Sequence, residues 1–201
     1  MAAKTIDFYF DFSSPYGYIA STKIDALAAK HGREARWRPF LLGAAFKQTG
    51  GQPLTDIPIK GKYSARDMVR TAKFMGVDYR QPSTFPIGTV AAARAFYWAD
   101  AKDPERARDV AKSLYRAYFV DDVNIGDAEK TVEVCARLGF DAAAVRAGLA
   151  DQSVKDRLRA EVDAAIALGA FGSPYIVVDG EPFWGSDRLE QVDRWLASGG
   201  W

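Results

Sequence analysis

The sequence predicts an α/β fold whose small sheet is assembled from the two ends of the chain, with a large all-helical insertion between them. Three observations predict it. Residues Ile6 to Phe12 (IDFYFDF) form an apolar run of strand character. It passes at once into Ser13-Ser14-Pro15-Tyr16-Gly17-Tyr18 and then into helical spacing of Tyr16, Ile19, Ala20, Ile24, Leu27 and Ala28. Near the other end, Phe171-Gly172-Ser173-Pro174 leads into Tyr175-Ile176-Val177-Val178, an Asp179-Gly180 turn and Pro182-Phe183-Trp184, the composition of a hairpin. Between these ends the chain is rich in alanine and punctuated by Gly, Pro and Asp, with no repeat or low-complexity tract.

Taken in order, Ser14 and Pro15 suit the N-cap and first position of the first helix. Arg36-Trp37-Arg38-Pro39-Phe40 reads as a second strand. Helical patterns then run from Lys62 to Met75, Ile87 to Lys102, Pro104 to Val120, Asp127 to Leu138, Asp141 to Leu149 and Gln152 to Leu168. A last helix begins in Gly185-Ser186-Asp187-Arg188, where Asp187 can cap and Glu190 can reciprocate, with a core stripe of Leu189, Val192, Trp195 and Leu196. Strand–helix–strand in front and X-Pro–strand–turn–strand–helix behind is the order of a thioredoxin-like fold split by an insertion. The expected division is residues 1–41 with 170–201 for the thioredoxin-like domain and 42–169 for the inserted helical domain. The insertion is expected to cover the strand–helix corner as a lid and leave a cleft.

Ser14 stands where a redox protein of that fold carries the first cysteine of Cys-x-x-Cys. The first turn of a helix has unpaired N–H groups and stabilises an anion, and a serine there hydrogen-bonds without ionising. The position therefore suits a thiolate supplied from outside. In this fold the X-Pro bond is cis, so Ser173-Pro174 is expected to be cis and to face Ser14.

With 201 residues, 27 Lys and Arg against 26 Asp and Glu, the chain has no net field to recruit nucleic acid or a membrane surface, and a small-molecule partner is expected. No apolar run approaches the length of a membrane span, and the first residues lack a secretory pattern, so a cytoplasmic location is expected. The single cysteine, Cys135, excludes an internal disulfide and multi-cysteine metal sites and reads as a buried structural thiol. His31, before Gly32, reads as the end of a helix, and no metal is expected. Lys62, Arg66, Arg70 and Lys73 make a basic stripe that favours a carboxylate-bearing substrate if one end borders the cleft. Asp11, at the strand end, is a candidate to touch the site; its plainer reading is a capping or solvent-facing acid.

Four segments in this order, Ser14-Pro15-Tyr16, Lys60-Gly61, Phe171-Gly172-x-Pro174 and Phe183-Trp184-Gly185-Ser186-Asp187-Arg188, resemble the 2-hydroxychromene-2-carboxylate isomerase and kappa class glutathione transferase family, of DsbA-like thioredoxin fold. The resemblance implies glutathione as cofactor, with Ser14 catalytic beside its sulfur and the main chain of Ser173, before Pro174, pairing with its peptide backbone. It implies that Ser186 and Asp187 hold the γ-glutamyl end and that Lys60 meets the glycine end. Phe85 falls where the family places substrate-pocket residues, and Tyr16 and Lys47 are the other substrate-facing candidates. The implied reaction converts 2-hydroxychromene-2-carboxylate reversibly into trans-o-hydroxybenzylidenepyruvate in aromatic catabolism. Ser173 replaces the family's usual Val or Leu, a change expected to be neutral because only its backbone is used. Gly51 and Gly88 stand where Asn is frequent and bear on the substrate. A kappa-type transferase or peroxidase is the nearest alternative. A non-catalytic thioredoxin-like binding module would need neither Lys60 nor Ser186-Asp187. A DsbA-like oxidoreductase is disfavoured by the missing cysteines, and a homodimer is left open.

Overall fold

A computed structural model describes residues 5–201. Its sheet has four strands in the order β2-β1-β3-β4. These are β1 (Thr5–Phe10), β2 (Glu34–Pro39), β3 (Tyr175–Val178) and β4 (Glu181–Trp184). β1 is central: it runs parallel to β2, with Phe8 opposite Trp37, and antiparallel to β3, with Phe8 opposite Ile176. A strand covered on both faces has little solvent side to alternate with, which is why Ile6, Phe8, Tyr9 and Phe10 are all buried and only Asp7, paired with Arg36 and Arg38, interrupts the apolar residues of β1. The β3–β4 turn places Asp179 at φ 52° and Gly180 at φ 94°, the left-handed pair that matches strand twist in a two-residue hairpin.

The front helical pattern is two helices rather than one: α1 (Pro15–Ser21) and α2 (Ile24–Lys30). The break has a local cause. Ser21 Oγ donates to Tyr18 O at 2.6 Å and Thr22 Oγ1 to Ile19 O at 2.8 Å, so hydroxyls compete for the carbonyls that would continue the helix. With seven residues, α1 has a smaller macrodipole than the sequence pattern implied. His31 ends α2, and its Nε2 lies 2.6 Å from Asp193 Oδ1, a tie to the C-terminal helix.

The insertion supplies α3 (Leu42–Thr49), α4 (Lys60–Phe74), α5 (Val90–Asp100), α6 (Pro104–Phe119), α7 (Ala128–Arg137), α8 (Ala142–Ala150) and α9 (Gln152–Leu168), and α10 (Leu189–Ser198) closes the chain. The sequence pattern misses α3, whose short apolar set is interrupted by Gly43. The cap expected at Asp187 is absent. Gly185, at φ 113°, donates its N–H to Pro174 O at 3.0 Å and starts a tight turn over Ser186–Arg188, so α10 begins after Arg188 without a side-chain cap.

α6 lies directly on α1 and β1. Tyr115 packs against Phe10, Phe12 and Tyr18, and Phe119 stacks on Tyr18 at 5.3 Å. Tyr97 of α5 donates to Pro39 O at 2.7 Å. One hydrophobic core therefore runs from the sheet into the insertion. Cys135 is buried in it, and burial pushes its thiol up to about 11.

Candidate active site

The chain leaves β1 at Phe10, and Asp11 organises the loop from there into α1. Its carbonyl accepts from Ser14 N at 2.9 Å and from Tyr115 Oη at 3.0 Å. Its carboxylate accepts from Ser13 N and Leu42 N, each at 2.7 Å, and from Thr89 Oγ1 at 3.0 Å. The solvent-facing reading of Asp11 is thus wrong: the residue is buried and fastens the β1–α1 loop to α3 and to the residue preceding α5. Burial raises its carboxyl above the ordinary range while the three donors pull it down. Leu42, Thr89 and Tyr115 come from three distant segments, so no sequence spacing announced them.

Ser14 caps α1. Its Oγ accepts from Gly17 N at 3.0 Å and donates to Ser173 O at 2.8 Å. The Ser173-Pro174 peptide is cis and stands across from α1, as the X-Pro reading expected. The side chain of Ser173 is also engaged: its Oγ accepts the Asp11 N–H at 3.0 Å. Position 173 is therefore not indifferent to its side chain, against the expectation that only its backbone is used. Behind this group, a Cβ on Gly17 would meet Ser173 Oγ at 2.7 Å and Tyr115 Oη at 2.8 Å. Ser173 and Tyr115 fill the space beside the position of a second Cys-x-x-Cys sulfur.

Pro174 O holds Gly185 N, and the Ser186–Arg188 turn packs against α1. Ser186 is buried there, whereas the Asp187 side chain is 68% exposed, 3.5 Å from its neighbour Arg188. On the other side, Tyr16 of α1 donates to Asp67 Oδ2 of α4 at 2.7 Å. That bond, followed by those from Arg70 and Thr71, lowers the Asp67 carboxyl, while burial and Asp67 raise the Tyr16 phenol. Tyr16 thereby ties α1 to the basic helix, whose Lys62, Arg66, Arg70 and Lys73 are all exposed.

Lys60 is the exposed first residue of α4, and the first turn of that helix carries no acid. It follows Ile59, held at φ 71° and ψ −53°, where Lys60 N donates to Pro58 O at 2.8 Å in a tight γ-turn. Gly61 behind it packs on the carbonyl of Thr55, a contact a Cβ would forbid. Phe85 is half-buried against Tyr118, and its loop meets Ser13 through Ile87 N at 3.2 Å. Lys47 is exposed in the last turn of α3, and no bond joins it to Ser14. Ser14, Ser173, Pro174 and Ser186 are thus brought together, Tyr16 borders them, and Lys47 and Lys60 lie on the flanking elements. Asp67 and Tyr115 are the residues that sequence reasoning did not place, and Asp11, expected to touch the site from the strand end, does so as the fastener of its loop.

Two surface clefts, of about 410 and 340 Å³, lie elsewhere, along the β2 edge between Asp25, Glu34, Arg108 and Glu161. Neither includes Ser14 or Ser173. Acids and bases are nearly balanced in both linings, and in the second Arg38 and Arg157 face Glu161.

The family model for a DSBA-like thioredoxin domain matches residues 5–197. A 2-hydroxychromene-2-carboxylate isomerase of Sphingobium xenophagum is 32% identical over 199 residues, covering 96% of this chain and 98% of that protein. Glutathione S-transferase kappa 2 of Caenorhabditis elegans is 28% identical over 208 residues, covering 96% and 92%. A solved 2-hydroxychromene-2-carboxylate isomerase superimposes with a TM-score of 0.86 at 25% identity, covering 96% of this chain and 94% of its own.

Proposed function

The chain belongs to the DSBA-like thioredoxin family, among the 2-hydroxychromene-2-carboxylate isomerases and kappa class glutathione transferases, and from that membership we propose that it is a glutathione-dependent isomerase of the 2-hydroxychromene-2-carboxylate type. The observation that carries the reading is the Ser14 hydroxyl set against the carbonyl before a cis proline, with no cysteine at position 14 or 17. A site so built has a donor for a thiolate and no sulfur of its own.

The residues present fit glutathione. Ser173 offers its main chain for strand-like pairing. Exposed Asp187 suits an ammonium, and Lys60, at a helix start without acids, suits a carboxylate. Bound glutathione would supply a nucleophilic sulfur that adds reversibly to a conjugated carbon and lets the former double bond rotate. The chain's part is to orient that sulfur through Ser14 Oγ and to hold the aromatic acid between Tyr16, Phe85 and the cations of α3 and α4, with Lys47 the α3 candidate. No electrons are gained or lost overall. The kappa-type transferase reading is supported by the Caenorhabditis elegans relative and shares the same glutathione site. Cytoplasmic aromatic catabolism is the setting proposed for the isomerase; among the described residues no helix is long and apolar enough to cross a membrane.

The test is to incubate purified protein with 2-hydroxychromene-2-carboxylate, with and without glutathione. trans-o-Hydroxybenzylidenepyruvate is expected only with glutathione. A stable glutathione conjugate instead would favour the transferase, and activity without the thiol would remove the reading. Asp187→Ala is expected to weaken glutathione by about 1 kcal/mol in calorimetry, a modest loss because the carboxylate is exposed.

A further inference from the structure

The Ser14 hydroxyl has one proton, and its two contacts leave one acceptor for it. Oγ accepts from Gly17 N at 3.0 Å, which fixes the oxygen, and the proton goes to Ser173 O at 2.8 Å. Ser14 and Ser173 are both buried. To donate to a sulfur anion, Ser14 must take its proton away from that carbonyl. Leaving a buried carbonyl without a donor is unfavourable, so in the free protein the hydroxyl stays where it is.

Resting on the glutathione reading above, we propose that the site activates only thiols that bring their own N–H to the Ser173 carbonyl. When a cysteinyl peptide docks, its amide N–H replaces the Ser14 proton on Ser173 O, and the hydroxyl turns to the sulfur without orphaning the carbonyl. Peptide recognition and thiolate stabilisation are one exchange of hydrogen bonds. Nothing is oxidised, and the thiol proton leaves to solvent. The Asp11 N–H to Ser173 Oγ bond at 3.0 Å and the close seat of Gly17 hold Ser173 fixed, so the carbonyl waits in place for either donor. A small thiol without a backbone would approach Ser14 yet leave the hydroxyl on the carbonyl. The ligand class is thus a cysteine with an acylated amine.

The decisive probe is ophthalmate, γ-glutamyl-2-aminobutyryl-glycine, which keeps the backbone and terminal charges of glutathione and replaces the thiol by methyl. It asks Ser14 for nothing and competes with it for Ser173 O. Ser14→Ala is expected to bind ophthalmate about 3- to 10-fold more tightly than the native protein, while binding glutathione more weakly above the thiol pKa. Calorimetry at matched folded fraction, checked by circular dichroism, reads both. Unchanged or weaker ophthalmate binding in Ser14→Ala would overturn the exchange.

A second arm needs no variant. In the native protein, the thiolate absorbance of bound glutathione is expected to titrate about one pH unit lower than that of γ-glutamyl-N-methylcysteinyl-glycine, which lacks the amide proton. Equal titration also overturns the proposal, and if the methylated peptide does not bind, the ophthalmate comparison decides. Should the native protein bind neither glutathione nor ophthalmate, the glutathione reading itself falls. Binding of both with no effect of Ser14→Ala on ophthalmate removes the exchange alone.

Discussion

Gly17 occupies the place of the second sulfur in a Cys-x-x-Cys pair, and its neighbours have closed over it. An added Cβ meets the hydroxyls of Ser173 and Tyr115, at 2.7 and 2.8 Å, closer than real Cβ contacts. Alanine in a helix ordinarily stabilises relative to glycine by about 0.5–1 kcal/mol. Here the crowding should reverse the sign, and Gly17→Ala is expected to destabilise by about 1–3 kcal/mol. In a Ser173→Ala background the same change should be markedly less harmful, because one of the two obstacles is gone. Urea denaturation of the four proteins reads this, and equal penalties in both backgrounds would remove Ser173 as the obstacle. Ser14 and Ser173 were legible because each precedes a proline at a strand boundary, where turn chemistry is local. Asp11 was legible as an acid beside the site but not as its fastener, because Leu42 and Thr89 reach its carboxylate only in the folded chain.

Among the elements, the helices whose N-cap aspartates bond their first turn, Asp103, Asp127, Asp141 and Asp151, start within one residue of where the sequence places them. Those without such a signal went astray. α3 has no side-chain cap, α10 starts after a glycine-led turn, and the break between α1 and α2 depends on hydroxyls reaching back to carbonyls. α4 also lacks a side-chain cap. Its start is set by Ile59, a β-branched residue at φ 71° that is 92% exposed. Strain of this kind is worth roughly 1–3 kcal/mol, and no buried contact of the Ile59 side chain offsets it. Ile59→Gly is therefore expected to raise stability by about 1 kcal/mol after the added chain entropy of glycine is subtracted. Thermal unfolding checks the sign. A fall in stability would mean that the turn is unstrained.

At the scale of the molecule, the two ends of the chain meet in β1, which pairs with β2 on one side and β3 on the other. The thioredoxin-like order was readable from those ends, whereas the continuity of the core was not, since it depends on α5 and α6 packing onto the sheet. That continuity predicts a single unfolding transition. Helical circular dichroism, dominated by the insertion, and tryptophan fluorescence should lose signal at the same denaturant concentration. Glutathione at 100 times its dissociation constant should shift that transition by about 2.7 kcal/mol. Two resolved transitions would show that the insertion folds apart from the sheet. The hairpin adds a practical consequence. Trp184 is 54% exposed, and its indole leans on Gly172, next to the Ser173 carbonyl, with Phe171 edge-on at 4.8 Å. On the proposed glutathione reading, a peptide laid along Ser173 is expected to dry one face of that ring and shift its emission to the blue, which would make Trp184 a built-in dye for counting occupied sites.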